Sequence, residues 1–275
     1  MEPIYVMING LPGNVTKTIA EAILKDSRFS LIPFSLTGLE ITDQSITICG
    51  TLISLISPSK HESALSELTK QIGFFIIVDY THPSAVNENA ELYCKLKIPF
   101  IMGTTGGDRD ALMETIAKAK IPAVIAPNMA KQIVALQAMM EFAAQNFPDV
   151  FNGYKMDVVE SHQAGKADTS GTAKAMIKYF NQMGIDFTEE EIQLVRDKET
   201  QLAMGIPKDV LEGHAWHTYT LTSSDGTTTF TFTHNVNGRK IYATGTIDAL
   251  LVLAQKIQQG NTPKIYSMID ILKNE

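Results

Sequence analysis

Ile4-Tyr5-Val6-Met7-Ile8-Asn9-Gly10-Leu11-Pro12-Gly13-Asn14-Val15-Thr16-Lys17 is the stretch that decides the fold. Residues 4–9 form a short apolar run carrying β-branched side chains. After the turn, Ile19, Ala20, Ile23 and Leu24 recur at helical spacing. The stretch therefore reads as strand, glycine turn, helix. In that setting glycines let the backbone approach a pyrophosphate, and the helix N-terminus favours its charge. Gly10, Gly13, Asn14 and Val15 are the candidate contacts. The pattern is G-x-x-G-x-x-T, with Thr16 where a third glycine often gives close helix–strand contact. On the turn alone, a plain strand-to-helix connection fits nearly as well.

Working outward, a second strand is expected over 30–34. A dinucleotide site selective for NAD places an acidic residue near that strand's end, to bind the ribose hydroxyls. Here Ser35 and Thr37 stand there, and the first carboxylate is Glu40. Two hydroxyls and no nearby carboxylate predict a mild preference for NADPH, with NADH possible. Further apolar strands are expected over 74–79, 99–102 and 123–126, with helices over 85–96 and 110–119. Strands this uniformly apolar suit a parallel sheet covered on both faces. Their C-terminal ends carry small or hydroxyl-rich loops: Thr81-His82-Pro83, Gly103-Thr104-Thr105 and Pro127-Asn128-Met129. Ligands of open α/β sheets bind along that rim. His82 reads as an exposed loop histidine. Cys94 and Cys49 read as small core residues.

The second half has a different texture. A long helix over 130–147 leads to a strand over 154–159 and, after a polar stretch, a helix over 171–183. Strands follow over 192–195, 215–222, 227–236 and 240–243, with Asp225-Gly226 as a hairpin turn. A helix over 246–258 and a segment over 265–272 close the chain. The fold class expected is α/β: a Rossmann-like dinucleotide-binding domain plus an α+β substrate domain with a mixed, mostly antiparallel sheet.

The polar stretch at 160–173, ESHQAGKADTSGTA, gathers Glu160, His162, Lys166, Asp168, Ser170 and Thr172 between two apolar runs. Ser170-Gly171-Thr172 places amides and hydroxyls at a helix start, a ready anion site. Lys166 adds a positive charge. Histidine is the side chain whose ordinary pKa lies near neutrality, so His162 is the natural proton donor. The stretch is read as gripping a carboxylate-bearing substrate and protonating it. Glu160 fits a bracing role as well as a catalytic one and is set aside. Asp168 suits a turn before the helix. His214, His217 and His234 lack a ligand-type spacing, so no metal is expected. Arg239 is either a second carboxylate anchor or a surface charge beside a turn.

The net charge of −7 gives no support to nucleic-acid binding, which requires a basic surface. It leaves room for an anionic small substrate, because a local cluster can still be positive. Two cysteines without metal-type spacing suit a reducing compartment. No apolar run approaches a membrane span of about 18 residues. The start of the chain shows no basic leader and no transit-type composition, so a cytoplasmic location is expected.

The 160–173 stretch is similar to the E-x-H-H-x-x-K-x-D-x-P-S-G-T-A signature of the dihydrodipicolinate reductase family, most closely its plant-type branch. VDYTHP, MGTTGG, the PNM loop, EGHAWH and HNVNGR extend the resemblance over nearly the whole chain. The resemblance implies a two-domain enzyme of lysine (diaminopimelate) biosynthesis that reduces a small dicarboxylate with NAD(P)H. It implies a dinucleotide domain over 1–129 and 241–275, a substrate and oligomerisation domain over 130–240, and a homo-oligomer, tetramer or dimer. His162 and Lys166 match the catalytic positions. Gln163, Lys166, Ser170, Gly171 and Thr172 match the substrate cradle. Gly10, Gly13 and the Gly103-Thr104-Thr105 loop match cofactor contacts, with Asn14, Val15, Ser35, Thr37 and Pro127-Asn128-Met129 added along the rim. Two departures stand out: Gln163 replaces the signature's second histidine, and the stretch is one residue shorter and lacks its proline. The competing readings are a non-catalytic NADP-binding sensor and another two-domain NADP-dependent reductase. One such reductase, the aspartate-semialdehyde type, would need a nucleophilic cysteine.

Overall fold

The structure, a computed structural model, describes residues 2–166, 168–260 and 264–274. The opening stretch forms strand β1 (Ile4–Asn9) and helix α1 (Asn14–Leu24). Val6 to Asn9 are all buried, as a strand covered on both faces requires. The chain then forms β2 (Phe29–Leu31), β3 (Phe34–Leu36), β4 (Ser45–Ile48), β5 (Thr51–Ile56), α2 (His61–Ile72) and β6 (Ile76–Asp79). Next come α3 (Val86–Lys95), β7 (Phe100–Met102), α4 (Arg109–Ala119), β8 (Ala123–Ile125) and α5 (Lys131–Asn146). The polar stretch lies between β9 (Lys155–His162) and α6 (Gly171–Gln182). Beyond it are β10 (Gln193–Val195), α7 (Lys198–Ala203), β11 (His214–Thr222), β12 (Thr229–Asn237), α8 (Lys240–Gln258), β13 (Ile265–Tyr266) and α9 (Met268–Lys273).

The chain divides into two units, residues 1–131 with 240–275, and residues 132–239. In the first, six parallel strands run in the order β13-β8-β7-β6-β1-β2. The chain leaves β1 for β2 on one side and later returns to β6 on the other. The switch point, where such sheets bind ligands, thus lies between β1 and β6, with Asn9 opposite Asp79. Met7, Ile77 and Phe100 from the sheet pack with Leu65, Tyr93 and Ile116 from the helices as one core. In the second unit the sheet order is β10-β9-β11-β12, with β10 parallel to β9 and the other pairs antiparallel. Helix α6 buries Ala173, Met176, Ile177 and Phe180 in a core shared with Val158, Tyr219 and Leu221 of that sheet. An α/β fold with a six-stranded parallel sheet, a four-stranded mixed, mostly antiparallel sheet and a small third sheet is thus the observed architecture.

Several local expectations are corrected. The single strand expected over 30–34 is two: β2 joins the large sheet, and β3 joins a separate sheet of order β3-β5-β4. Pro33 lies at the break, where a residue without an N–H cannot continue a ladder. Cys49 is exposed, not core, and has φ 47° beside Gly50 at φ 80°. Two positive-φ residues between β4 and β5 are what a two-residue I′ hairpin turn requires. Residues 240–243, expected as a strand, are the first turn of α8. Gly245, just before the helix expected over 246–258, lies inside α8, and a Cβ on it would collide with the Met129 carbonyl. Strand β9 runs on to His162, so His162 sits on a strand end and not in a loop.

Candidate active site

In the first unit the rim is built by strand ends. Gly10 has φ 101°, and a Cβ on it would run into the Tyr80 backbone, so only glycine fits. Helix α1 begins after Gly13 with no acidic residue in its first turn, which leaves the positive end of its dipole unopposed. Thr16 is buried, and its hydroxyl donates to the carbonyls of Gly10 (3.1 Å) and Gly13 (2.8 Å). The residue that departs from the glycine pattern therefore fastens the turn. On Gly103 a Cβ would penetrate the Tyr80 ring. These two glycine cradles and the helix start fit the close approach of a dinucleotide's phosphates and ring.

Beneath the rim lies Asp79, fully buried and not singled out from sequence. Its carboxylate accepts from Tyr93 Oη (2.6 Å), Asn89 Nδ2 (3.0 Å), Thr81 N–H (2.9 Å), Thr81 Oγ1 (2.7 Å) and Thr104 Oγ1 (3.1 Å). It ties three rim segments to the end of β6. A charged residue closing an apolar strand was the available signal.

Three cavities open along this rim. One of about 310 Å³ is lined by Gly10, Gly13 and Tyr80, among others. One of about 330 Å³ brings together Val15, Gly103, Thr104, Thr105, Pro127 and Met129. The largest, about 660 Å³, includes Thr37, Gly38, Glu40, His61 and Asn89. Asn14, Ser35 and Asn128 are not among the lining residues of the three. The Asn128 side chain instead accepts the Ala130 amide (2.9 Å). Ser35 and Thr37 do not present their hydroxyls as expected. Both are buried; Ser35 Oγ accepts the Leu11 amide (3.2 Å), and Thr37 Oγ1 donates to the Ile56 carbonyl (3.2 Å). The Glu40 carboxylate folds back over Gly38, where a Cβ would strike it, and so an acidic group stands at the rim after all.

In the second unit the polar stretch is held from both sides. Glu160 is fully buried on β9. Its Oε1 accepts from Arg196 Nη2 (2.5 Å) and its Oε2 from the Ser170 amide (2.9 Å). His217, opposite Glu160 on β11, brings Nε2 to 3.5 Å from Oε2, and His162 Nε2 lies 3.8 Å from Oε1. Burial pushes the Glu160 carboxyl up, but His217, the Ser170 amide and Arg196 outweigh it and hold the group down at about 2. Glu160 is thus a permanent carboxylate that braces the loop.

His162 is buried, with Nε2 lacking a hydrogen-bond partner among the described residues. Its ring centroid is 5.1 Å from that of His217. Burial, with His217, Arg196 and Lys166 adding to it against the pull of Glu160, drives its pKa down to about 4. This corrects the expectation of a near-neutral imidazole: at pH 7 His162 carries no charge. His234, across from His217 on β12, is pushed down to about 4 by burial and by His217.

Lys166 pairs with the exposed Asp168 (2.7 Å), and its amide closes a turn onto the Gln163 carbonyl (3.0 Å). Gln163 is half-buried. Ser170 caps α6, its hydroxyl accepting the Thr172 amide (3.2 Å). The Gly171 amide and the Thr172 hydroxyl have no protein partner among the described residues. An amide, hydroxyls and an ammonium beside a buried imidazole can bind an anion and move a proton. His214 bonds Ser161 Oγ (2.8 Å) and the Leu211 carbonyl (2.9 Å), and Arg239 donates from Nη2 to the Glu212 carbonyl (3.0 Å). Glu160, His162 and His217 bring donor atoms within 4.8 Å of one another, a set able to hold a metal ion. Arg196 already neutralises that carboxylate, and a dication would have to displace it. Arg196 follows β10 and had no sequence signal beyond its place after an apolar run.

A glycine turn at the rim of a parallel sheet in one unit, and a polar helix start beside a buried histidine in the other, fit the class of two-domain reductases. Residues 4–129 match the family described as dihydrodipicolinate reductase, N-terminus, and residues 132–272 match dihydrodipicolinate reductase, C-terminus. The chain belongs to the dihydrodipicolinate reductase family. It is 49% identical over 269 residues to a probable 4-hydroxy-tetrahydrodipicolinate reductase 1, chloroplastic, of Oryza sativa subsp. japonica, covering 98% of this chain and 78% of that one. It is 48% identical over 271 residues, at the same coverage, to 4-hydroxy-tetrahydrodipicolinate reductase 1, chloroplastic, of Arabidopsis thaliana. In fold it resembles the dipicolinate-bound dihydrodipicolinate reductase from Paenisporosarcina sp. TG-14, with a TM-score of 0.67, 18% identity, and 96% and 97% of the two chains covered.

Proposed function

We propose that this chain catalyses the NAD(P)H-dependent reduction of 4-hydroxy-tetrahydrodipicolinate, or the dihydrodipicolinate formed from it by loss of water, to tetrahydrodipicolinate in lysine biosynthesis. Family membership supports the reaction. The observation that carries the site is the meeting of His162, Lys166 and the α6 start on one brace formed by Glu160. When bound, the nicotinamide dinucleotide supplies the hydride to the ring carbon conjugated with the C=N bond. The electron pair moves onto an enamine-like anion, and a ring carbon then takes a proton. Lys166, the Gly171 amide and the hydroxyls of Ser170 and Thr172 hold the substrate's carboxylates and stabilise developing charge. Gln163 donates to a carboxylate without adding charge. His162 delivers the proton after the substrate's own negative charge has raised its proton affinity. Oxidation of NADPH in the presence of freshly generated substrate tests the reading, and absence of turnover with either dinucleotide overturns it.

Gly10, Gly13, Asn14 and Val15, with the Gly103-Thr104-Thr105 and Pro127-Asn128-Met129 loops, are the proposed dinucleotide contacts of the unit formed by 1–131 and 240–275. NADPH remains the proposed cofactor, with NADH used to within about ten-fold, a margin of about 1.4 kcal/mol. Glu40 is the group proposed to narrow that margin, because its carboxylate suits ribose hydroxyls and repels a 2′-phosphate. A homo-oligomer is supported by β12, a nine-residue edge strand paired only with β11 among the described residues, with Phe230 exposed on it. Such an edge is a template for pairing, and a second copy would cover it. Light scattering that shows a monomer would remove this part. No helix among the described residues is long and apolar enough to cross a membrane. The plant relatives are named chloroplastic. A cytoplasmic location for this chain is a proposal, which imaging of a tagged chain in its own cells would decide.

A further inference from the structure

We infer that Arg196 is a positioning residue for this reaction: with Glu160 it fixes the loop that carries Lys166 and sets the charge that faces His162. The inference rests on the reading of 162–172 as the substrate site. Strand β10 lies parallel to β9 with Val195 beside Ser161, so Arg196 emerges level with the end of β9. Its guanidinium makes four contacts. Nε donates to the Lys166 carbonyl (2.8 Å), Nη1 to the carbonyls of Glu160 (3.0 Å) and Val195 (3.2 Å), and Nη2 to Glu160 Oε1 (2.5 Å). The other carboxylate oxygen of Glu160 accepts the Ser170 amide (2.9 Å). One ion pair therefore fastens the loop where it leaves the strand, at Lys166, and where it enters α6. Lysine cannot reproduce this, since an ammonium lacks the planar fork that reaches a carboxylate and three carbonyls together.

The same pair sets charge. Glu160 is fully buried, and its two oxygens face His217 and His162 as well as Arg196. With Arg196 present the carboxylate is compensated, and its pull on a proton at His162 is blunted. Without it, a buried anion is left 3.8 Å from His162 Nε2, and the cheapest compensation is a proton on that ring. The charged and titratable groups around His162 are Glu160 on its own strand, His217 on β11, Arg196 after β10 and Lys166 on the loop. Loss of Arg196 removes one repulsion and unmasks one attraction, and both changes raise the proton affinity of His162.

The test uses Arg196→Lys, Arg196→Met and the double variant Arg196→Met/Glu160→Gln, in which no buried charge is left unpaired. Arg196→Lys should raise substrate KM about ten-fold, as loss of charge-assisted bonds implies, with NADPH affinity unchanged. NMR titration of His162 should show its pKa raised by about one or more in Arg196→Met, and returned toward the wild-type value in the double variant. Amide exchange over 163–171 should accelerate in all three. A merely structural arginine would alter thermal stability without moving the His162 titration. Unchanged His162 titration and unchanged exchange in the folded variants would overturn the inference. Both readouts work without turnover, so they stand apart from the reaction assay: an inactive wild type sinks the proposed function, and a flat titration sinks the role of Arg196.

Discussion

Binding of a dicarboxylate should load a proton onto His162. In the unliganded protein burial and neighbouring cations hold its pKa near 4, so the protonated fraction at pH 7 is about 10⁻³. A carboxylate about 4 Å from the ring contributes about 4 kcal/mol at an effective dielectric constant of about 20. At 1.36 kcal/mol per pKa unit that is about three units, enough to bring the imidazole near neutrality. The ligand that needs the proton thus summons it. The sign follows: the complex binds more protons than the free protein, so affinity strengthens as pH falls from 8 toward 4. The assay is calorimetric titration with dipicolinate at pH 7 in buffers of different ionisation enthalpy. Uptake of about half a proton per site is expected in the wild type. His162→Gln should abolish it, while any uptake by the ligand itself survives. Equal heats across the buffers, or equal uptake in His162→Gln, would refute the reasoning.

Thr172→Val removes a hydroxyl from the anion cradle; substrate KM should rise about ten-fold or more, with NADPH affinity unchanged, in steady-state kinetics. Glu40→Gln should raise kcat/KM for NADPH relative to NADH, because it removes the carboxylate that lies over Gly38. Acid should weaken the fold in a defined window. His162 and His234 are both held near 4, below the ordinary 6.5 of the unfolded chain. Their contribution is therefore complete above pH 6.5 and lost as pH falls toward 4, where the unfolded chain has bound protons that the native state refuses. The loss is on the order of 3 kcal/mol per histidine at most, and His234→Phe should flatten the decline of Tm over that window.

What could be read from the sequence was whatever rests on local pattern. The 4–17 stretch showed a strand and helix joined by glycines because each glycine answers a local steric demand, as Gly10 does against the Tyr80 backbone. The 160–173 stretch showed a helix start capped by Ser170 because helix-start chemistry is local as well. Long-range contacts were hidden. Ser35 and Thr37 looked like donors to a ligand, but the fold engages their hydroxyls with the backbone at Leu11, Ile56 and nearby. The helix expected to start at 246 starts at Lys240, and Gly245 inside it answers to the distant Met129 carbonyl. The near-neutral pKa assumed for His162 fails because burial and charges from three other segments act on it. Arg196, 36 residues from Glu160, has a meaning only once β10 lies beside β9.

The most direct measurement of the central claim follows the two hydrogens that the reaction adds. With NADPH carrying deuterium at the transferred position of nicotinamide C4, and substrate generated freshly in ordinary water, mass spectrometry of the tetrahydrodipicolinate product reads the outcome. The account predicts one deuterium on the ring carbon conjugated with the C=N bond and one solvent hydrogen added to the neighbouring ring carbon. Dinucleotide oxidation without deuterium in the product, or unreduced substrate with the dinucleotide still bound, would contradict it.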